Sequence, residues 1–133
     1  MPAVATLTDE QAQLLKGKNF AVVATTGTDG LPQQTVNWID WDGERVVFNT
    51  AEGRVKPANI RRNPTVSVCV INHENPYQFL TVTGRAEIID DGAEEHINEL
   101  SHRYFGRDYH YAPGEKRLIV RITPDRVFAR GFS

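Results

Sequence analysis

Residues 45–64 read RVVFNTAEGRVKPANIRRNP, and the chain changes there from the period of a strand to that of a helix. Arg45 to Thr50 form an apolar strand pattern that ends at a hydroxyl, and Val55 to Arg62 favour a short helix. That helix must end at Asn63-Pro64, because the residue before a proline avoids the helical region. The stretch therefore predicts a strand, a glycine turn and a helix that interrupts a sheet.

Further strand patterns lie on both sides of this stretch, at residues 20–25, 33–41, 65–71 and 79–89. The turn residues Thr28-Asp29-Gly30 and Asp42-Gly43 separate the strands before the helix, so these strands are expected to be antiparallel. Gly84 falls in the middle of the longest pattern and predicts a bulge or a sharp barrel bend.

The last part of the chain is expected to form a strand pair. Leu118 to Ile122 and Val127 to Ala129 have strand patterns, and Pro124-Asp125 between them is typical of a turn. These strands bring the predicted sheet to six or seven strands.

Two more short helices are predicted beside this sheet. Thr8 and Gln11 form a capping box that starts the first helix, and Gly17 is expected to end it in a left-handed turn. Residues 93–105 have the apolar spacing of an amphipathic helix. The sequence thus predicts a mainly β, antiparallel, Greek-key barrel, closed or partly closed, in one domain over residues 1–133.

The composition argues against several classes of protein. Of the 133 residues, 40% are hydrophobic and 24% are charged, which is typical of a folded globular domain. The formal net charge of -2 provides no general attraction to nucleic acid or to anionic membranes. No apolar run is long enough to span a bilayer, and a lone cysteine without a leader pattern points to the cytoplasm. The histidines lack metal-ligand spacing, so no metal is expected.

The residues around the glycine turn have the chemistry of a phosphate site. Thr50 offers a hydroxyl, Arg54 a guanidinium and Lys56 an ammonium, next to the free N–H groups at a helix start. The competing interpretation is a solvated surface loop that carries Arg54 and Lys56, and spacing alone does not separate the two. Because the whole chain is not basic, any phosphate must be bound locally.

The whole chain resembles the pyridoxamine 5'-phosphate oxidase-like split-barrel proteins, especially the small members that use the deazaflavin coenzyme F420. The oxidases proper carry a Ser-Arg-Lys run in the loop before the short helix. Here Val55 separates Arg54 from Lys56, as in the F420-using branch. The resemblance therefore implies F420 as the cofactor, with FMN as the alternative. The matching segments are Val22–Thr25, Asp29–Gln33, Thr50–Asn59, Arg62–Pro64 and Thr83–Ala86.

The resemblance also implies which residues hold the cofactor. The family works as homodimers with cofactor sites between the subunits, and Tyr77 and Phe79 are candidates for the aromatic cover that the partner chain provides. Because a deazaflavin carries hydride, no protein nucleophile is required, and the catalytic residues are left unassigned. His110 is a candidate proton donor, although ordinary loop packing is the favoured interpretation of it. The implied cofactor-binding residues on the chain's own loop, strand and helix are Gln33, Thr35, Thr50, Ala51, Arg54, Val55, Lys56 and Asn59.

The function implied by the resemblance is an oxidoreductase that transfers a hydride between F420 and a small unsaturated organic substrate. Two alternatives stay open: an FMN-dependent enzyme of the pyridoxamine phosphate oxidase type, and a non-catalytic protein that carries a deazaflavin or haem. Cys69 lies in the middle of a strand pattern, where a free cysteine is expected to be buried and unreactive.

Overall fold

The structure is a computed structural model that describes residues 5–132. One sheet of seven strands has the order β2-β1-β5-β6-β7-β4-β3, and every strand pair in it is antiparallel. None of the helices in this part of the chain is long and apolar enough to cross a membrane. The elements are α1 (Asp9–Lys16), β1 (Phe20–Thr26), β2 (Pro32–Trp38), β3 (Asp40–Trp41), β4 (Val46–Ala51), α2 (Val55–Arg62), β5 (Thr65–Ile71), β6 (Phe79–Ile89), α3 (Ala93–Phe105) and β7 (Arg117–Arg130).

The sheet curls around a core of alternating inward side chains, which include Val23, Phe48, Val68, Val82 and Ile122. The curl brings β2 close to β4, but these two strands do not pair, so the barrel is split between them. On the other face of β4 and β7, α3 packs through a small apolar cluster. The predicted mainly β split barrel with short helices is therefore confirmed.

Two predictions about the strands are wrong. The expected turn at Pro124-Asp125 does not form, because β7 continues through it and Pro124 lies opposite Gly84 at a register shift. A proline is tolerated at such a bulge, where its missing N–H breaks no regular ladder. The expected strand 33–41 is interrupted at Ile39, since β2 pairs with β1 whereas β3 pairs with β4. The Ile39 N–H donates instead to the hydroxyl of Tyr104, at 3.1 Å.

The start of α1 agrees with the sequence, and its end does not. The Gln11 N–H donates to Thr8 Oγ1 at 3.2 Å, and the Thr8 N–H donates to Gln11 Oε1 at 3.0 Å, which confirms the capping box. Gly17 caps the helix, but its φ of -86° and ψ of -179° are extended, so the predicted left-handed turn is wrong. Cys69 is partly exposed rather than buried, because it faces outward on β5.

The bulge predicted at Gly84 is confirmed by the register shift between Thr83 and Gly84. A Cβ atom at Gly84 would lie 2.0 Å from the Thr123 carbonyl oxygen and 2.8 Å from its carbonyl carbon. The backbones of β6 and β7 therefore approach more closely here than any side chain allows. This close approach explains why the position holds glycine.

Replacing Gly84 by alanine should lower the free energy of unfolding by about 3 kcal/mol, because the added methyl group collides with the backbone of β7. Urea denaturation followed by tryptophan fluorescence measures the change. Gly17→Ala is the control: its Cβ would lie 3.1 Å from the end of the Asn19 side chain and at an ordinary contact distance of 3.7 Å from the Gln13 carbonyl oxygen, and should cost less than about 1 kcal/mol. Equal stability of the two variants would contradict this account of the bulge.

Candidate functional site

The turn between β4 and α2 places a short helix across the split in the barrel. Gly53 adopts a φ of +89°, a left-handed conformation that favours glycine, and the Arg54 N–H donates to the Ala51 carbonyl at 3.3 Å. Arg54 is extended at the N-cap of α2 and makes no side-chain capping bond. As a result Arg54 precedes the helix, and Lys56 lies in its first turn.

Lys56 is a buried cation without an anionic partner in the part of the chain that the structure describes. Its side chain is 6% exposed, and its Nζ donates to Thr35 Oγ1 on β2 at 3.1 Å. Within residues 5–132, no carboxylate lies at ion-pair distance from this ammonium. Burial lowers the pKa of Lys56, and the nearby charges of Arg54 and Arg117 lower it further. Burying an unpaired charge is costly, so a bound anion would stabilise this arrangement.

A cavity of about 270 Å³ lies between β2, β4, β7 and α3. Lys56 does not line it, but Arg54 and Arg117, whose charges act on Lys56, both do. Aromatic and aliphatic side chains form most of its wall, and two arginines and two asparagines supply the polar groups. This volume is at the small end of ligand pockets, which usually have a few hundred Å³. The lining residues are Phe20, Val36, Asn37, Trp38, Asn49, Arg54, Ile97, Leu100, Tyr109 and Arg117.

Arg117 is the most buried charged group of this cavity, at 3% exposure. Its Nε donates to Asn49 Oδ1 at 2.8 Å, and its Nη1 lies 3.2 Å from both the Tyr109 hydroxyl and Glu115 Oε1. The guanidinium also lies over the Tyr109 ring, 5.1 Å from its centroid. Burial raises the pKa of Tyr109, so its hydroxyl stays protonated at neutral pH and donates to Glu115.

Positive charge is in excess around the cavity. Glu115 Oε1 lies 3.2 Å from Arg117 Nη1 and 3.8 Å from Arg54 Nη2, so one carboxylate serves two guanidinium groups. Lys56 adds a third cation that no carboxylate of the described chain neutralises. The site is thus suited to an anionic group, and a guanidinium and an ammonium are both good donors to phosphate oxygens.

Arg54 also borders a second depression, a groove of about 580 Å³ between the β1–β2 turn and α2. The polar side chains at its floor form one network: Asn59 Nδ2 donates to Thr25 Oγ1 at 3.0 Å, and Thr25 donates to Gln33 Oε1 at 3.3 Å. Arg62 donates to Asn59 Oδ1. This network holds α2 against β1 and β2. Arg54 lines both this groove and the aromatic cavity.

The structure brings together most of the site residues that were predicted on the chain itself. Thr35, Arg54 and Lys56 lie at the split, and Gln33, Val55 and Asn59 line the groove. Thr50 and Ala51 are buried at the end of β4, and the Thr50 hydroxyl has no hydrogen-bond partner among the described residues.

The two residues proposed as aromatic cover lie apart from this group. Tyr77 is 84% exposed, and Phe79 packs against Phe128 at a ring distance of 6.1 Å. Neither residue lines the cavity or the groove of its own chain. Their predicted contact with a cofactor therefore depends on a second subunit.

Sequence reasoning missed Asn49 and Arg117. The predicted strand began at Leu118, whereas β7 begins at Arg117, which pairs with Ala51. Because alternate residues of a strand face the same side, Arg117 shares a face with Ile119, and Asn49 shares one with Val47. The sequence signal that could have revealed both residues is a polar side chain at an alternate position of an otherwise apolar strand pattern.

Comparison with known proteins identifies the fold as a recurrent one. Residues 7–131 match the family described as pyridoxamine 5'-phosphate oxidase. A solved structure named F420 reductase is 31% identical, with a TM-score of 0.80 over 92% of this chain and 98% of that one. Among curated proteins, none matches the sequence significantly.

Two less similar structures share the fold. A conserved hypothetical protein of Mycobacterium tuberculosis is 24% identical, with a TM-score of 0.77 over 96% of this chain and 86% of that one. General stress protein 26 of Bacillus anthracis is 19% identical, with a TM-score of 0.71 over 92% of each chain.

These matches confirm the family resemblance drawn from the sequence, and they support an oxidoreductase of the flavin or deazaflavin type. The family match spans the barrel and all three helices, and with them every residue of the cavity and the groove. The chain belongs to the pyridoxamine 5'-phosphate oxidase family.

Proposed function

We propose that the protein is an F420-dependent oxidoreductase that transfers a hydride between the deazaflavin and a small unsaturated organic substrate. The observation that carries this proposal is the buried ammonium of Lys56, which faces no carboxylate of the described chain and lies near two further cations. The similarity to a structure named F420 reductase, at 31% identity over nearly the whole chain, supports the choice of cofactor.

The residues at the split suit the cofactor's phosphate. Lys56 provides an ammonium inside the barrel gap, Arg54 provides a guanidinium at its rim, and the first N–H groups of α2 add the positive end of a helix. A phosphate placed here would supply the counter-charge that Lys56 lacks. The charge-assisted bond from Lys56 would be stronger than in water, because this ammonium is buried.

The aromatic cavity suits the ring of the cofactor. A bound deazaflavin supplies hydride chemistry, so the protein has to orient the ring and exclude water. Trp38, Tyr109 and Phe20 provide flat apolar walls for that purpose. No side chain is assigned a proton-transfer role.

We also propose that the protein is a homodimer with cofactor sites between its subunits. Outward side chains of β1, β2, β5, β6 and β7 form an apolar sheet face, on which Val36 is 66% exposed. An exposed apolar surface of this kind usually marks a protein interface. A second copy packed here would supply Tyr77 and Phe79 from outside the cavity. The face is formed by Val22, Val36, Ile71, Phe79 and Phe128.

Titration of the purified protein with F420 and, separately, with FMN tests the cofactor assignment. We expect saturable F420 binding that is tighter than FMN binding, followed by tryptophan or cofactor fluorescence. Lys56→Met should weaken F420 binding by at least about tenfold, because it removes a partly desolvated charge-assisted bond. The same variant should unfold at an equal or higher urea concentration, since it removes an unpaired buried charge.

Lys116→Met is the matched control for this titration. It makes the same change in net charge at an exposed lysine, whose Nζ lies 3.6 Å from Asp90 Oδ2, and should leave F420 binding unchanged. Tighter binding of FMN than of F420 would assign the protein to the flavin-dependent alternative. F420 binding without turnover of any unsaturated acceptor would indicate a carrier, and binding of neither cofactor would refute the proposal.

Affinity for F420 should fall at alkaline pH. The folded pKa of Lys56 lies below its ordinary value of 10.5, so the ammonium loses its proton at a pH where an exposed lysine keeps it. Between the two pKa values the unfolded chain binds more protons, so Lys56 contributes stability that rises with pH while anion affinity falls. F420 titrations from neutral pH to 10.5 compare wild type with Lys56→Met. Ionisation of groups on the cofactor itself affects both proteins equally. Parallel curves of affinity against pH would therefore contradict the assignment of Lys56.

The proposed dimer should dissociate when its apolar face is charged. Ile71→Glu places a carboxylate in the middle of that face and should convert a species of twice the chain mass into a monomer. Light scattering after size exclusion measures the mass. Glu74→Gln, an exposed change in the following turn, should leave the dimer intact. A wild-type protein that is monomeric at high concentration would refute the dimer.

A further inference from the structure

A chain of hydrogen bonds runs from β3 across α3 to the cavity. Arg103 Nη2 donates to Asp40 Oδ1 at 2.9 Å, and Asp40 Oδ2 lies 3.2 Å from His96 Nε2. His96 Nδ1 lies 3.1 Å from Asn49 Nδ2, and Asn49 Oδ1 accepts from Arg117 Nε at 2.8 Å. We call it the Asp40–His96–Asn49–Arg117 chain. Its last member is the guanidinium that lines the cavity.

The partners of Asn49 fix the direction of every bond in this chain. Arg117 Nε can only donate, so the Asn49 oxygen must face it. The Ala93 carbonyl can only accept, and it lies 3.0 Å from Asn49 Nδ2. The amide nitrogen therefore faces His96, and Nδ1 of that ring must accept. His96 Nε2 then carries the hydrogen and donates a hydrogen bond to Asp40 Oδ2.

Asp40 is the acceptor at one end of this chain of hydrogen bonds. Burial by itself would raise the pKa of Asp40, but hydrogen bonds from His96 and Arg103 outweigh it and hold the pKa below its ordinary value. The carboxylate thus stays ionised and accepts from both neighbours. A single tautomer of His96 satisfies all of these partners.

One nitrogen of the Arg117 guanidinium is available as a donor to a ligand. Its Nε and Nη1 have acceptors within the protein, whereas Nη2 has no hydrogen-bond acceptor among residues 5–132. The residue is almost fully buried and yet lines the cavity. A donor held in this way by its other two nitrogens has a fixed direction before any ligand binds.

The polar chain lies in surroundings that favour apolar packing. Val47, Ala93 and Ile119 form an apolar cluster between α3 and the sheet, close to Asn49 and His96. Buried polar chains cost desolvation, and apolar replacements of similar volume are often as stable or more so. Stability alone therefore does not account for a polar chain that ends at the cavity.

We propose that Arg117 Nη2 donates to an oxygen of the bound cofactor, and that Asn49, His96 and Asp40 are positioning residues that set its direction. The contact between Arg117 and the cofactor rests on the proposed function, whereas the order of the hydrogen bonds from Asp40 to Arg117 does not. Arg117 is thereby a binding residue additional to Arg54 and Lys56; it lies beside the end of β4 and shares the Glu115 carboxylate with Arg54.

Nitrogen-15 NMR of the cofactor-free protein tests the chain itself. At mildly alkaline pH, His96 should show an unprotonated Nδ1 and a protonated Nε2. The Arg117 Nε–H signal should move in His96→Phe and stay in place in His102→Phe. His102 is the matched control: it lies on the same helix and contacts Asp108, but it is exposed. If the wild-type protein shows the other His96 tautomer, the proposed chain of hydrogen bonds is overturned, and this measurement needs no variant. An Arg117 Nε–H signal that does not move in His96→Phe would overturn it as well.

Titration with F420 tests the ligand contact. His96→Phe should weaken F420 binding roughly tenfold, because Arg117 loses its fixed direction. His96→Gln should restore most of it, since its amide can accept from Asn49 and donate to Asp40. Saturating F420 should also move the Arg117 Nη2–H signal of the wild type. F420 binding that leaves this signal unmoved would overturn the contact alone, whereas no F420 binding would overturn the proposed function with it.

Discussion

The ammonium of Lys56, buried in the gap between β2 and β4, is the constraint on which the site depends. A barrel closed by a regular strand pair would have no room for it, and a fully open sheet would leave it solvated. The bond from Lys56 to Thr35 joins the two sides where no ladder does. The glycine turn and the short helix α2 place the ammonium there. The local backbone between β4 and α2 thus decides both the shape of the gap and its charge.

Two groups of polar side chains frame this gap. On one side, Thr25, Gln33 and Asn59 bind one another and fasten α2 to the first hairpin. On the other side, Asn49 and Arg117 join β4 and β7 beneath α3. Within the described residues, the members of each group bind one another except at Arg117 Nη2, so this nitrogen and the Lys56 ammonium remain to bind an anion that enters the gap. Apolar and aromatic side chains form much of the cavity wall between the groups.

The sequence was informative wherever a local rule decides the structure. The capping box of α1, the stop of α2 at Asn63-Pro64 and the bulge at Gly84 all rest on neighbouring residues, and the structure has each of them. The cation pair of Arg54 and Lys56 was found in the same way. Pro124 was misread, because a proline opposite a bulge and a proline in a turn look alike until the partner strand is known.

The burial of Arg117 and Asn49 could not be read locally. It depends on the register of β7 against β4 and on the docking of α3, which are contacts between residues far apart in the chain. An arginine at the start of a strand, seen in sequence, is most often solvated. The proposed homodimer and the substrate likewise depend on surfaces and loops that no local sequence pattern encodes.

The uninterrupted β7 has a consequence for how copies of the protein can meet. Its first half pairs on both sides, with β4 and β6, whereas within the described chain residues 123–130 pair with β6 alone. That exposed rim could template another strand, but Pro124 lacks a donor, and Arg126 and Arg130 repel a like-charged rim. The Ala5 N–H also donates a hydrogen bond to the Pro124 carbonyl. Edge-to-edge polymerisation through this rim is thereby disfavoured.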